Sequence, residues 1–239
     1  MNPELAEQLR LLLRPRVKLL LTPAAQGPAD TQLLSHLGGD PYFEQGESWP
    51  VNPSTGQPLE FIFQLINDGS LPLPFPARVL QYFCDYHGEE VVFDDSDPDL
   101  FAFKVYAAPD PTRQVRLPRP VALPSPEYAA IAFEPELCLP DDDELPDLSP
   151  ATWQLCQQLA GTDDWDELYN AAVTEMLGEP DFGSWVGGYA LWLQGAHPRG
   201  EFFLEFDSTE AFMWGDSGLL YFFYQPGADP VVSFEMQCC

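Results

Sequence analysis

Short apolar segments alternate with proline- and glycine-rich turns along the whole chain, and some of them have helical periodicity. Residues 3–13 place leucines at helical spacing after Asn2 and Pro3, and Pro15 should end that helix. Asp163 or Asp164 would cap a later helix. The pattern predicts further helices at Thr152–Leu159 and Trp165–Leu177, and a helical turn at Thr31–Leu37.

The remaining apolar segments are short, which favours β-strands. In Phe101–Ala107, large apolar side chains alternate with other residues, as is typical of an antiparallel strand with one solvated face. We predict strands at Val17–Leu21, Leu59–Ile66, Arg78–Tyr86, Phe101–Ala107, Ala129–Phe133, Tyr189–Leu193, Glu201–Asp207, Ala211–Trp214, Leu219–Tyr224 and Val231–Met236.

Three blocks near the start of the chain resemble three blocks near its end, in the same order. They pair Leu37–Gly39 with Val186–Gly188, Glu60–Leu65 with Glu201–Phe206, and Val79–Phe83 with Leu219–Phe223. We therefore expect an α+β fold of two related halves, each mainly antiparallel sheet with a few peripheral helices, packed about a pseudo-twofold axis with a cleft between them. Convergent strand composition is the alternative explanation of the matches.

This interpretation divides the chain into four segments within one compact domain. Residues 1–36 would hold the N-terminal helix and a lead-in strand, and residues 37–107 the first sheet half. Residues 108–150 are rich in proline and acid and would form a connector. Residues 151–239 would hold the later helices and the second sheet half.

The charge is strongly negative and unevenly distributed. The 239 residues include 38 acidic and 10 basic side chains, a net charge of −28. Residues 1–119 hold 16 acids and 9 bases (16 − 9, net −7), whereas residues 120–239 hold 22 acids and only Arg199 (22 − 1, net −21). Such a surface repels phosphates, so nucleic acids and anionic membranes are disfavoured, while a basic protein partner would be attracted.

Three acidic runs are the candidate partner-binding residues. Runs of this kind are usually solvated loops, but their number on so acidic a chain favours a docking surface, and Trp165 could anchor a partner. The candidates are Asp94, Asp95, Asp97, Asp99, Asp141, Asp142, Asp143, Glu144, Asp163, Asp164, Trp165, Asp166 and Glu167.

The chain carries no recognisable catalytic or metal-binding signature. Cys84 and His87, followed by Glu89 and Glu90, lack the second ligand pair of a zinc site. Asp95–Asp99 starts like a calcium loop but has Leu100 where glycine is needed and Tyr106 where the bidentate glutamate is needed. Ser217 lies in a glycine-flanked turn rather than in a nucleophile motif. We expect no enzyme activity, no metal and no cofactor.

The cysteines indicate a reducing compartment. Cys84, Cys138, Cys156, Cys238 and Cys239 are odd in number and form no paired framework, which is typical of free thiols. We see neither a signal peptide nor an apolar run of bilayer length, and so expect a cytoplasmic protein.

Several motifs together resemble the YwqG family, the DUF1963 domain, from about Leu37 to Phe223. This chain departs from the family pattern in having Ser184 where a histidine is typical and Ala190 where a proline is typical. The motifs are Gly38-Gly39-x-Pro41, Trp49-Pro50, Gly56-x-Pro58-Leu59-x-Phe61-x-x-Gln64, Leu80-Gln81-Tyr82-Phe83, Gly187-Gly188-Tyr189 with Gln194, and Met213-Trp214-Gly215-Asp216-Ser217-Gly218-x-x-x-Phe222-Phe223.

The resemblance implies a cytoplasmic bacterial protein without established enzymatic activity, of a kind found near polymorphic-toxin loci and proposed as immunity proteins. Our leading hypothesis is therefore an immunity-type protein that binds a cognate basic toxin, such as a nuclease, and occludes it. The alternative is a small-molecule or glycan-binding protein whose aromatic cleft between the halves is lined by Tyr189, Trp192, Trp214 and Phe222. A carboxylate hydrolase is the third hypothesis, although nothing assigns its acid and base.

Overall fold

The protein is described by a computed structural model. The structure describes residues 1–25, 27–86, 92, 94–123, 128–161, 163–179, 182–197, 199–227 and 231–238. The candidate ligands His87, Glu89 and Glu90, and the thiol of Cys239, lie outside the described residues.

The predicted helices are confirmed where leucine periodicity and capping residues coincide. The first begins after Asn2, whose side-chain oxygen accepts hydrogen bonds from the backbone N–H groups of Glu4 and Leu5. Glycines at positions 161 and 178 follow the two long later helices. The α-helices are α1 (Pro3–Leu12), α2 (Leu145–Leu148), α3 (Pro150–Ala160) and α4 (Trp165–Leu177), with single 3₁₀ turns at Pro98–Leu100 and Asp142–Glu144.

Most of the described chain outside the helices is strand or turn. The strands are β1 (Arg14–Ala24), β2 (His36–Leu37), β3 (Phe43–Glu44), β4 (Glu60–Ile66), β5 (Val79–Cys84), β6 (Phe101–Tyr106), β7 (Gln114–Val115), β8 (Tyr128–Cys138), β9 (Trp185–Gly187), β10 (Glu201–Asp207), β11 (Leu219–Gln225) and β12 (Val231–Gln237).

The strands do not form two separate half-sheets. Within the described residues, ten of them pair in one antiparallel sheet in the order β12-β11-β10-β9-β1-β8-β2-β4-β5-β6, and β3 pairs with β7 in a small second sheet. The expectation of two related halves with a cleft between them was therefore wrong. The centre of the sheet is an eleven-residue ladder in which Arg14 of β1 pairs with Cys138 of β8 and Ala24 pairs with Tyr128. β8 comes from the stretch that we expected to be a connector, where only its first part, Ala129–Phe133, was predicted as a strand.

The sheet curls until it is barrel-like and nearly closed, and the main core fills the space inside. Rings from β4–β6 meet rings from β10–β12: Phe63 stacks on Phe206 with centroids 4.6 Å apart, and Phe101 meets the edge of Phe234 at 4.9 Å. An isolated antiparallel bridge between Asp94 and Glu235 links the β12 edge to the segment before β6. Inward-facing apolar side chains from β4–β6 and from β10–β12 thus bury one another, which makes a major contribution to stability.

Three predicted elements were wrong, for local reasons. Tyr189–Leu193 is not a strand, because the strand ends at Gly187 and both Gly187 and Gly188 have positive φ (78° and 74°) that turn the chain out of the ladder. Ala211–Trp214 is an irregular turn whose Phe212 and Trp214 rings lie parallel, 6.2 Å apart, at the core. Thr31–Leu37 forms a turn leading into β2 rather than a helical turn.

A helical layer packs beside the sheet and presents much of the acidic sequence. Leu5, Leu9, Leu145, Leu155 and Tyr169 form its buried centre. The Tyr169 hydroxyl donates a 2.7 Å hydrogen bond to the Pro140 carbonyl, which attaches α4 to the chain leaving β8. Throughout the described ranges, each helix is either too short or too polar to cross a lipid bilayer.

Candidate functional site

Two of the three predicted acidic runs lie side by side on the helical layer. The Asn170 side-chain amide of α4 donates a 2.7 Å hydrogen bond to the Asp142 carboxylate. Asp166 precedes Asn170 by four residues, so the two share one face of the helix. We define the helical acidic surface as Asp141, Asp142, Asp143, Asp163, Asp164, Asp166 and Glu167.

The 3₁₀ turn brings three carboxylates together. Asp141 caps the turn by accepting a 3.1 Å hydrogen bond from the Asp143 backbone N–H. Carboxylate oxygens of Asp141, Asp142 and Asp143 all lie within 4.8 Å of one another. Burial, together with interaction with Asp142, raises the pKa of Asp141 to about 7. Carboxylates so arranged could supply oxygen ligands to a hard cation, but solvated acidic clusters commonly hold none.

A groove of about 690 Å³ runs beside this turn and combines apolar and acidic walls. Val173 and Leu177 of α4 and Leu139 provide apolar surface, while Asp141 and Asp142 provide carboxylates. Apolar walls beside a few polar groups are typical of a site that holds a ligand or a partner's side chain.

Arg16 is the cation that lines this groove, and it is neutralised within the protein. Its Nε lies 3.2 Å from the Glu136 carboxylate, and its guanidinium lies 4.1 Å from the centre of the Trp185 ring. The Trp185 indole N–H also donates to Glu136, at 3.1 Å. Arg16 therefore does not offset the carboxylates of Asp141 and Asp142 in the groove.

Trp165 and Glu144 are not simply exposed surface residues. Trp165 is half-buried, and its ring meets Trp153 edge-on with centroids 6.4 Å apart, so it is partly used by the helical core. Glu144 is half-buried and lines a second cavity of about 490 Å³ that also contacts Tyr189 and Trp192.

The third acidic run, at Asp94–Asp99, is engaged within the molecule. Arg199 contacts Asp94 at 3.1 Å, Asp95 at 2.8 Å and Glu235 at 3.0 Å. Asp97 caps the following 3₁₀ turn through the Asp99 backbone N–H, and the Asp99 carboxylate accepts from the Ser54 hydroxyl. These carboxylates stabilise the loop.

The four aromatic residues expected to line one cleft are separated. Tyr189 and Trp192 line the second cavity, whereas Trp214 and Phe222 lie in the main core. The cavity is on the outer side of the curled sheet, next to the helical layer. The expectation of an aromatic cleft between two halves was thus wrong, although Tyr189 and Trp192 do border the second cavity.

The buried thiols, His36 and Ser217 are held in structural positions. Burial raises the pKa of the thiols of Cys84, Cys138 and Cys156, which makes these cysteines poor nucleophiles. Burial lowers the pKa of His36 to about 4, so it is neutral, and its Nδ1 contacts the Gly38 carbonyl. Ser217 lies in a tight turn, as predicted, with φ of 56°.

One carboxylate in this region escaped the sequence analysis. Glu205 of β10 is fully buried, and burial raises its pKa to about 8. Its Oε2 accepts a 2.8 Å hydrogen bond from the backbone N–H of Leu191, a residue of the groove wall. The only signal was one glutamate among the aromatic and apolar residues of Phe202–Phe206, a signal that does not distinguish a buried face from a solvated one.

Comparison with known families gives one match. The sequence profile described as a domain of unknown function (DUF1963) matches residues 35–229. No curated protein shows significant similarity to the chain. The match spans β2 to the end of β11, and includes Tyr189 and the acidic residues of the helical surface. It supports the DUF1963 part of the resemblance seen in the sequence and covers well over half of the chain, so the protein belongs to the DUF1963 family.

Proposed function

We propose that the protein is a non-catalytic binding protein that captures a cationic partner protein on its helical acidic surface. The observation that carries the proposal is the charge of residues 139–179, which contain no lysine, arginine or histidine. The acids of that stretch are Asp141, Asp142, Asp143, Glu144, Asp147, Asp163, Asp164, Asp166, Glu167, Glu175 and Glu179.

The charges of this surface are available to a partner. Among the described residues, no lysine or arginine forms an ion pair with a carboxylate of the helical acidic surface. Asp143, Asp163, Asp164 and Glu167 are exposed to solvent. An uncompensated negative field of this kind accelerates encounter with a basic protein and disfavours acidic competitors.

The adjacent groove supplies the apolar contacts that charged side chains alone do not provide. Exposed carboxylates raise the association rate more than the affinity, which depends on desolvated contacts at the centre of an interface. A lysine or arginine side chain could lay its aliphatic stem against Val173 and Leu177 and bring its charge to Asp141 and Asp142. The groove therefore offers an anchor position for the cationic partner.

In its specific form, the proposal is an immunity-type protein of the cytoplasm. It would occlude a basic toxin, such as a nuclease, by covering the surface with which the toxin binds phosphates. The acidic face would take the place of the nucleic-acid backbone, and no chemical step would be needed.

The test is capture of the partner from a lysate of the source cells with the tagged full chain at low salt. Wild type is compared with a variant in which Asp141, Asp142, Asp143, Asp163, Asp164 and Asp166 are changed to Asn. We expect a basic protein that wild type captures, that salt elutes and that this variant loses. Expression of that protein should inhibit growth, and co-expression of wild type should restore it.

The matched control changes Asp94, Asp95 and Asp97 to Asn, which removes acids that the structure engages internally. This control should capture the same protein as wild type. Capture and growth rescue that survive neutralisation of the helical acidic surface would refute the proposal.

A further inference from the structure

The space between strands β1 and β10 is filled by β9 over only part of its length. β9 begins at Trp185, which pairs with Lys18 of β1, and on its other side β9 pairs with β10. Beyond Trp185, β1 continues to Ala24 and β10 continues to Asp207. In the described part of the chain, no strand lies between them there. We define the strand gap as the space between residues 20–24 of β1 and the end of β10.

One edge of β1 has unpaired backbone groups that face the strand gap. The Leu19 N–H donates a 2.8 Å hydrogen bond to the Ser184 carbonyl, so the backbone groups of Leu19 face the line of β9. Backbone groups alternate between the two edges of a strand, so the N–H and C=O of Leu21 face the same way. On the other edge, Ile131 of β8 lies opposite Leu21 but donates its N–H to the chain entering β2. No described residue pairs with the Leu21 backbone groups.

The strand gap has the width of one strand. Neighbouring strands lie about 4.8 Å apart, so β1 and β10, which flank β9, are about 10 Å apart where β9 begins. Further along, a cavity of about 430 Å³ separates them, with Leu21 and Pro23 on the β1 side and Asp207 and Ala211 on the other. An extended segment that entered this cavity would continue the line of β9 and pair with β1.

The floor of the cavity is apolar. Its floor residues also pack in or against the main core, and they are Leu19, Leu21, Leu37, Ala129 and Ala211. Directly opposite residues of an antiparallel pair point to the same face of the sheet, so a residue paired with Leu21 would place its side chain over this floor. On the outer side, the exposed side chains of Leu20 and Phe182 flank the opening.

The charge at the opening favours a cationic side chain on the outer face of the added segment. Asp207 follows the core residue Phe206 in β10 and so points outward. Asp207 and Glu210 line the cavity, and no described residue forms an ion pair with either carboxylate. Lys18 lines the opposite, β1 side. A lysine of the segment would therefore be drawn towards the β10 side.

We propose that the strand gap binds an extended peptide segment of a partner protein, which joins the sheet as a strand antiparallel to β1. Its residues opposite Leu21 and Pro23 are apolar and cover the cavity floor, and the residue between them is cationic and faces Asp207. A free apolar molecule could fill the cavity but would leave the Leu21 N–H and C=O unpaired. The site is additional to capture of a cationic protein on the helical acidic surface and does not depend on it.

The experiment titrates the ¹⁵N-labelled full chain with three blocked pentapeptides, Thr-X-Lys-X-Thr, in which X is Val, Leu or Phe. Five residues match residues 20–24 of β1. In the free protein, the Leu21 amide proton should exchange rapidly with solvent, because it has no partner in the sheet. At least one peptide should shift the Leu21 amide resonance in a saturable way and slow its exchange.

The matched control peptide carries an N-methyl group on both X residues. It keeps the side chains and the charge but cannot donate hydrogen bonds to β1. It should bind wild type about tenfold more weakly than its parent, because two backbone hydrogen bonds are lost. Since the protein is unchanged in this comparison, the result does not depend on the folding of a variant.

Ala211→Leu, which fills part of the cavity, should weaken peptide binding by about tenfold. Ala107→Leu makes the same change at an exposed position outside the cavity and should leave binding unchanged. Thermal unfolding shows whether each variant is folded.

Three results would overturn the proposal. The first is that no peptide moves the Leu21 resonance. The second is that the methylated peptide binds as tightly as its parent, which would show that charge or an apolar side chain binds without adding a strand. The third is that the Leu21 amide is already protected from exchange in the free protein, which would show that this edge is paired within the chain.

Discussion

Asp94 and Asp141 start two acidic segments of similar composition, yet the protein uses the two carboxylates in opposite ways. Hydrogen bonds from Ser96 and the nearby charge of Arg199 lower the pKa of Asp94. Burial and the neighbouring Asp142 raise the pKa of Asp141 to about 7. The difference is that Asp94 has hydrogen-bond donors of Ser96 and the charge of Arg199 beside it, whereas Asp141 is buried next to another carboxylate. Acidity in the sequence is therefore not the same as charge available to a partner, which exists only where the fold supplies no counter-ion.

The largest expected effect is on the association rate with the captured partner. Neutralising six acids of the helical acidic surface (Asp141, Asp142, Asp143, Asp163, Asp164 and Asp166 to Asn) should slow association about tenfold or more at low salt, because long-range attraction is lost. The dependence of the rate on salt should become flatter. Stopped-flow mixing measures both quantities.

The control is the same measurement on the variant Asp94→Asn/Asp95→Asn/Asp97→Asn, in which the acids of the other segment are neutralised. We expect its association rate to change by less than about twofold. Slowing by the two sets in proportion to the number of acids removed, six against three, would show that only total charge matters, and that the location of the acids does not.

A second effect concerns Glu205, the buried carboxyl behind the groove wall. Its pKa is about 8 in the folded protein and 4.5 ordinarily, so between these pH values the folded state holds a proton that the unfolded chain has lost. Its contribution to stability is therefore complete below pH 4.5 and is lost as the pH rises through 8. The slope is at most about 1.4 kcal/mol per pH unit for one group.

Glu205→Gln should flatten this slope, because the amide cannot ionise but can still accept from Leu191. Urea unfolding between pH 6.5 and 8.5 measures this slope. His36 of the folded protein titrates below that pH range, because its pKa is lowered from 6.5 to about 4. An unchanged slope in the variant would show that Glu205 is ionised in the folded protein.

A smaller effect is expected at Arg199, which contacts Asp94, Asp95 and Glu235. Arg199→Gln should lower the free energy of unfolding by about 1 kcal/mol, a modest loss because the side chain is partly exposed. Its effect on partner association should be negligible. Chemical denaturation and stopped-flow mixing on the same sample test both statements. A large loss of association would place the partner on the Asp94–Asp99 loop instead.

The smallest effect concerns the proton on Asp141. With a pKa of about 7, this carboxyl is largely protonated at pH 6 and largely ionised at pH 8. Association with a cationic partner should therefore be faster at pH 8 than at pH 6, by about twofold for a single charge near the interface. Asp141→Asn should remove that difference, whereas Asp94→Asn, at a site whose pKa is lowered, should retain it.

Local signals predicted the helices and most of the edge strands correctly. The N-cap at Asn2 and the proline after the first helix act within a few residues, and the structure confirms both. Phe101–Tyr106 is a strand as predicted, but the side chains on both of its faces are mostly half-buried, so the expected solvated face was wrong. β8 was predicted only as Ala129–Phe133 but continues to Cys138, because the ladder with β1 holds it extended through Pro135. That pairing joins residues more than a hundred positions apart, and no local pattern encodes it.

The candidate site, like the fold, was predicted only in part from the sequence. The acidic runs at residues 141–144 and 163–167 were found from composition, but their proximity depends on α4 packing against the 3₁₀ turn. The cavity residues Tyr189 and Trp192 were found as aromatics, while the inclusion of Trp214 and Phe222 was an error, because aromatic residues look alike in sequence whether they line a cavity or fill a core.

The sequence by itself determined the longer helices, most of the strands, the family and the strongly negative net charge, because propensity, capping and net charge are properties of short segments or of the whole composition. Tertiary structure alone decided that ten strands form a single curled sheet, that Arg199 compensates one acidic loop and that, among the residues the structure describes, no lysine or arginine pairs with the helical acidic surface. The physical reason is distance: Coulomb interactions and hydrogen bonds depend on spatial separation, which residues far apart in the chain acquire only when the sheet closes on itself.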